Sequence, residues 1–373
     1  MMKLRQVLRT VALGALAAFA VLPLAGQNIP EPHRVPAPGP QTDAPYAPQA
    51  ILPGGIVMPL YPPDSPYLNQ ERVKEPEKYN MTNGTPGRIQ SIVNIHNPSI
   101  EFHTVGGNRN TGSAVILVAG GGHRTLNVGT ESGDFVPFFY NLGVNTIILR
   151  NRLRSDGYEP RTDAVRDALQ AIRLVRKNAE AFGIDPNKIG IMGFSAGAEL
   201  SAPAAVEFKT FDEQNNNPND PLAGVTSRPD WAGVIYPGPT PFARGGNPEI
   251  PRNAPPSFIA TSGSGDQMHA IWAMEYFDAM LKLGVPNIEM HIYGNGPHAG
   301  GLTDRSGTPF GTWHLRLIDW YRDLGFLEAA GAVTKAAIDS QEFVNQPPPA
   351  PRGPGGRGPR GGGQGRPPAT PGN

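Results

Sequence analysis

The chain contains no cysteine, which removes disulfides, thiolate metal sites and a cysteine nucleophile from consideration. It also lacks a surplus of either charge, with 32 Lys plus Arg against 32 Asp plus Glu. Nothing in that balance announces nucleic acid as a partner, and a small uncharged or weakly charged substrate fits it best. Neither a paired-histidine helix motif nor an aspartate-rich calcium loop occurs, so the expectation is a chemistry that requires no metal and no other cofactor. The apolar run Val11 to Leu24 falls short of the ~20 residues that a membrane-spanning helix needs, so no stable span is expected.

Gly (46) and Pro (42) are plentiful, and the proline excess sits at the two ends. Residues 1–26 carry Lys3, Arg5 and Arg9, then the apolar run, then Ala25 and Gly26, the plan of a cleaved secretory signal peptide. Export to a periplasm or beyond is therefore expected. Residues 27–87 are proline-rich and polar and read as a linker that becomes an ordered arm. A catalytic domain is expected over 88–330, a helical extension over 331–345, and a disordered Pro/Gly/Arg tail over 346–373.

The chemistry centres on Gly193-Phe194-Ser195-Ala196-Gly197. The apolar run Ile189 to Phe194 predicts a buried strand and Ala196 onward predicts a helix, which places Ser195 at a strained strand-to-helix corner with its hydroxyl exposed. A serine hydroxyl needs a base, an acid behind the base and donors for an oxyanion. Ala119-Gly120-Gly121-Gly122-His123 follows the buried run Ser113 to Val118, so the amides of Gly121 and Gly122, with that of Ala196, are the expected oxyanion donors and His123 a weaker candidate for the pocket wall. Asp266 lies beyond the strand Pro256 to Thr261 and is the expected acid, with capping of a helix over Trp272 to Leu283 as its alternative role. His298 lies in a Gly-rich loop past the strand Ile288 to Tyr293 and is the expected base. His291, His269 and His314 compete with it only weakly.

Around these residues the pattern is that of an α/β protein. Ile89 to Ile95 and Ser99 to Val105 read as two leading strands of the sheet. Asp163 to Phe182 reads as an amphipathic crossover helix whose aspartates and arginines form a solvated face. Glu207 to Asp230 reads as an irregular loop over one side of the site. Trp313 to Leu324 reads as a closing helix with Trp313, Leu315, Leu317, Ile318 and Tyr321 turned to the sheet. No long apolar insertion suggests a lid.

From about Ile89 to Leu327 the chain resembles bacterial α/β-hydrolase carbohydrate esterases of the acetyl-xylan and feruloyl esterase type, relatives of hormone-sensitive-lipase-like esterases. The resemblance is carried by Val118 to His123, Ala168 to Arg176, Gly183-Ile184-Asp185-Pro186, the Ser195 motif, Ser227-Arg228-Pro229-Asp230 and His291-Ile292-Tyr293. It implies a mostly parallel sheet of about eight strands with helices on both faces, Ser195 as nucleophile, His298 as base and Asp266 as acid. It also implies hydrolysis of acetyl or other small acyl esters of a small-molecule or polysaccharide substrate. The chain departs from that family at His123, where an aromatic residue is usual, and at Gly265-Asp266-Gln267-Met268-His269. A serine peptidase of the same fold, or a non-catalytic envelope binding protein on a hydrolase scaffold, are the other readings.

Overall fold

Runs of branched apolar residues set the centre of the molecule. In the computed structural model, which describes residues 44–302 and 307–347, ten strands form in chain order: β1 (Ile56–Pro59), β2 (Lys78–Met81), β3 (Ile89–Val93), β4 (Ser99–His103), β5 (Ala114–Val118), β6 (Asn145–Arg150), β7 (Ile189–Phe194), β8 (Trp231–Ile235), β9 (Ser257–Ser264) and β10 (Glu289–Asn295). Strands β5 to β8 are buried at every residue. Such continuous apolar runs belong to sheets covered on both faces.

Eight of the strands form one sheet in the order β1-β4-β6-β5-β7-β8-β9-β10. The β1–β4 and β4–β6 pairs are antiparallel and the remainder parallel. Seven α-helices accompany them among the described residues: α1 (Phe135–Asn141), α2 (Val165–Lys177), α3 (Ala198–Val206), α4 (Phe208–Gln214), α5 (Gln267–Leu283), α6 (Trp313–Asp323) and α7 (Lys335–Asn345). Right-handed crossovers decide their placement. The steps from β6 to β7, β7 to β8 and β9 to β10 run in one direction across the sheet, which puts α2, α3 and α5 on one face. The step from β5 to β6 runs the other way, which puts α1 on the opposite face. The two large apolar clusters follow this division, one holding Ile172, Ala202 and Tyr276, the other Phe135, Phe139, Trp313 and Trp320. The direction of winding reverses beside β5, and the crevice beyond the carboxyl ends of β5 and β7 opens there.

The structure differs from several expectations. Strand β3 does not lead the main sheet but pairs with β2 in a separate two-stranded ribbon, and the main sheet instead begins with β1, drawn from the proline-rich segment. Proline is tolerated there because β1 is an edge strand. From residue 44 onward the segment expected to be linker and arm is part of the domain, with Tyr46, Ile51, Leu60, Tyr61, Leu68 and Val73 all buried. A buried ion network fastens it: the guanidinium of Arg150 on β6 donates to Glu77 (2.9 Å) and Glu101, and Glu101 in turn accepts from the amides of Ile51 and Leu52.

Nor is the charged side of α2 solvated. Asp167 is buried and accepts from Arg152 (2.7 Å) and from Tyr61 Oη (2.9 Å), while Arg173 is buried against the carbonyls of Val225 and Leu222. The segment 207–230 contains α4 and returns to the amino ends of the strands, where Asp230 accepts from the amide of Ile189, the first residue of β7. It therefore lies away from the crevice. On α6 the buried residues are Trp313, Leu317, Trp320 and Tyr321, whereas Leu315 is exposed. α7 is capped by Thr334, which accepts from the amide of Ala337 (3.1 Å). At the far edge of the sheet β10 pairs, among the described residues, only with β9, and has no fully buried residue. The expected signal peptide, the linker up to residue 43 and the tail from residue 348 lie outside the described residues. Among the described residues no helix is long and apolar enough to cross a membrane.

Candidate active site

The corner after β7 is shaped by close approach. A β-carbon at Gly193 would overlap the carbonyl of Gly197, and one at Gly197 would overlap the carbonyl of Val118. Only glycine lets the helix start so near the strand. Ser195 takes φ 52°, a left-handed conformation that costs a non-glycine residue about 1 kcal/mol or more. A short 3-10 turn, Ser195–Gly197, then leads into α3.

His298 reaches the serine from the loop after β10, with Nε2 2.8 Å from Ser195 Oγ. Its Nδ1 lies 2.8 Å from Asp266 Oδ2, at the junction of β9 and α5. A carboxylate beside Nδ1 holds the ring proton there, which leaves Nε2 free to accept from the serine hydroxyl. Asp266 stands at the amino end of α5, which starts five residues earlier than its apolar spacing suggests. Its side chain makes no capping bond; it serves two histidines, His298 and His269, whose Nδ1 is 2.5 Å from Oδ1. Burial pushes the Asp266 carboxyl up, but the hydrogen bonds from His269 and His298 outweigh it and hold the group below the usual carboxylate range.

The glycine loop after β5 is pressed against the serine. A β-carbon at Gly120 would sit 2.9 Å from Ser195 Cβ. The Gly120 amide is already engaged, donating to Glu131 Oε2 at 2.7 Å. Gly121 and Gly122 follow with φ 130° and 63°, and a β-carbon on Gly121 would overlap the carbonyl of Thr125. Those two amides and that of Ala196 belong to the segments that flank Ser195. His123, by contrast, is buried, and its Nε2 lies 3.2 Å from Glu199 Oε2, one turn beyond the serine on α3.

Four residues at the site carry no motif that singles them out. Glu131 is 1% exposed and also accepts from Tyr236 Oη at 2.9 Å. Burial raises its carboxyl above the usual range, against the hydrogen bonds from Gly120 and Tyr236. Tyr236, whose hydroxyl burial pushes well up, makes a T-shaped ring contact with His298 at 5.3 Å and accepts from the amide of Gly301 (3.3 Å). The indole of Trp313 donates to the Gly301 carbonyl (3.0 Å), so the loop that carries His298 is tied down at its base. The third and fourth are His269, stacked on His298 with ring centroids 3.8 Å apart, and Trp272, edge-on to His269 at 5.2 Å. Of the other histidines, His291 is paired with Glu289 (2.6 Å) on β10.

Asp266, His269 and His298 bring one ligand-type atom each within 4.8 Å of one another. The two rings are close to parallel, 23° apart, so their in-plane lone pairs run side by side instead of converging. That geometry serves a shared carboxylate, not chelation.

The BD-FAE family model matches residues 102–235. Over 248 residues the chain is 27% identical to an acetylxylan esterase of Xylanibacter ruminicola, covering 61% of this chain and 48% of the relative. Over 125 residues it is 33% identical to endo-1,4-beta-xylanase B of Butyrivibrio fibrisolvens, covering 33% and 19%. The chain thus spans less than half the length of these two curated relatives. The acetyl ester-xyloside bifunctional hydrolase from Caldicellulosiruptor lactoaceticus superposes with a TM-score of 0.57 at 24% identity, over 74% of this chain and 99% of that one. The butyrate-bound esterase Est2 of Thermogutta terrifontis superposes with a TM-score of 0.50 at 21% identity, over 64% and 93%. The fold is that of the α/β hydrolases.

Proposed function

We propose that this chain of α/β-hydrolase fold is an exported serine esterase that removes acetyl or other small acyl groups from carbohydrate. One observation carries the mechanism: the line from Ser195 Oγ through His298 to Asp266, with 2.8 Å at each step.

In this reading His298 Nε2 takes the Ser195 proton as Oγ attacks the ester carbonyl carbon, and the resulting imidazolium is stabilised by Asp266. The negative charge that develops on the carbonyl oxygen is received by the amides of Gly121, Gly122 and Ala196. Collapse of the tetrahedral intermediate breaks the bond to the alcohol, which leaves with the proton held on His298. Water, activated by the same imidazole, then frees the acid and restores Ser195. The carbohydrate part of the proposal draws on relatives that are an acetylxylan esterase and a xylanase, and export draws on the first 26 residues.

Replacing Ser195 with Ala is expected to lower kcat for p-nitrophenyl acetate by roughly three to six orders of magnitude, with the far-UV circular dichroism unchanged. A fluorophosphonate should label the unmodified chain and not the variant. Appreciable hydrolysis by the variant sinks the proposal. Acetylated xylan, feruloylated sugars and simple short-chain esters, compared by kcat/KM, decide the carbohydrate part.

A further inference from the structure

Asp266 is asked to hold two imidazoles at once, which a simple relay does not require. Its Oδ2 faces His298 and its Oδ1 faces His269, three residues on along α5. The His269 ring lies flat against His298 and perpendicular to that of Trp272, over which the exposed Arg244 places its guanidinium 5.9 Å from the ring centroid. His298 is therefore held through its Nδ1 by Asp266, on a face by His269 and from another side by the ring of Tyr236. The groups that bear on it are Asp266 from the β9–α5 junction, His269 from α5, Ser195 from the β7–α3 corner, Tyr236 from the end of β8 and, behind Tyr236, Glu131.

We infer that His269 is a positioning residue for the hydrolysis proposed above, fixing the Asp266 carboxylate through its second oxygen and dividing that carboxylate's charge between two imidazoles. Two consequences follow from elementary electrostatics. A carboxylate held by donors on both oxygens has no freedom to rotate about its last bond, so the His298 proton stays on Nδ1 and Nε2 stays aimed at Ser195. A carboxylate whose charge is shared also stabilises the His298 imidazolium less than one that serves His298 alone. Any positive charge on His269, 3.8 Å away, acts in the same direction.

The test separates the donor from the ring. His269→Phe keeps a flat apolar ring against His298 and removes the hydrogen bond to Asp266; His269→Asn keeps a donor near the position of Nδ1 and removes the ring. The acid limb of kcat/KM against pH should move up by about half a unit or more in His269→Phe and return to within about 0.2 unit of the unmodified enzyme in His269→Asn. A limb that does not move in His269→Phe, moves down, or moves equally in both variants overturns the inference. Because it rests on the esterase reading, the titration of the His298 Hε1 proton by NMR is followed in the same proteins. That midpoint should shift as the limb does, and it decides the role of His269 even if no ester proves to be a substrate and the fluorophosphonate fails to label Ser195.

Discussion

Glu131 shows how a single buried side chain can serve the site and cost stability. It holds the glycine loop by accepting from Gly120 and holds Tyr236 by accepting from its hydroxyl. Its carboxyl binds a proton more tightly in the folded chain than in the unfolded one, because burial disfavours the charge. Stability from this group is therefore full below the unfolded carboxylate range and falls as pH rises through the higher folded value. Glu131→Gln retains an acceptor for Gly120 and has no charge to bury. Urea midpoints measured from pH 4 to 8 should show the unmodified chain losing ground steadily to the variant as pH rises. A constant or narrowing gap would mean that Glu131 is not held above the ordinary range. No sequence pattern announces this residue, since its role exists only once the loop after β5 and the end of β8 are brought together. His269 was hidden for a related reason: with the helix expected to begin at Trp272, its spacing from Asp266 carried no meaning.

The elements around the serine were the most legible part of the chain, because their constraints are local. Two glycines flanking a serine between an apolar run and a helix describe one backbone path, and the structure takes that path. The same closeness makes it intolerant. In Gly197→Ala the new methyl group meets backbone at Val118 and Ala119, which cannot yield as a side-chain end can. We expect a loss of about 3 kcal/mol or more, read as a lower thermal midpoint, together with loss of fluorophosphonate labelling. An alanine variant that keeps both would show that the corner has slack. Elements whose fate depends on distant partners were harder to read. β1 is short and ends in proline, and only its pairing with β4 makes it a strand. The charges of α2 look solvated until the arm of residues 44–87 folds across them and supplies Tyr61 as a partner for Asp167.

At the scale of the whole molecule, parallel order and right-handed crossovers were implied by alternating apolar runs and helices, and they put the three expected residues of the relay at one end of the sheet. The sequence could not say how firmly each is held there, and the structure shows that they are held unequally. Ser195 springs from β7, which has a strand bonded on each side, whereas His298 follows β10, the outermost strand, which among the described residues is bonded on one side only. A border strand is the first to fray when a sheet is warmed. Heating should therefore detach His298 while the surroundings of Ser195 remain intact: hydrolysis of p-nitrophenyl acetate assayed at temperature should vanish several degrees below the far-UV circular dichroism midpoint, and amide exchange in β10 should outpace that in β7. Coincident loss of activity and ellipticity would show that the rim is as durable as the interior.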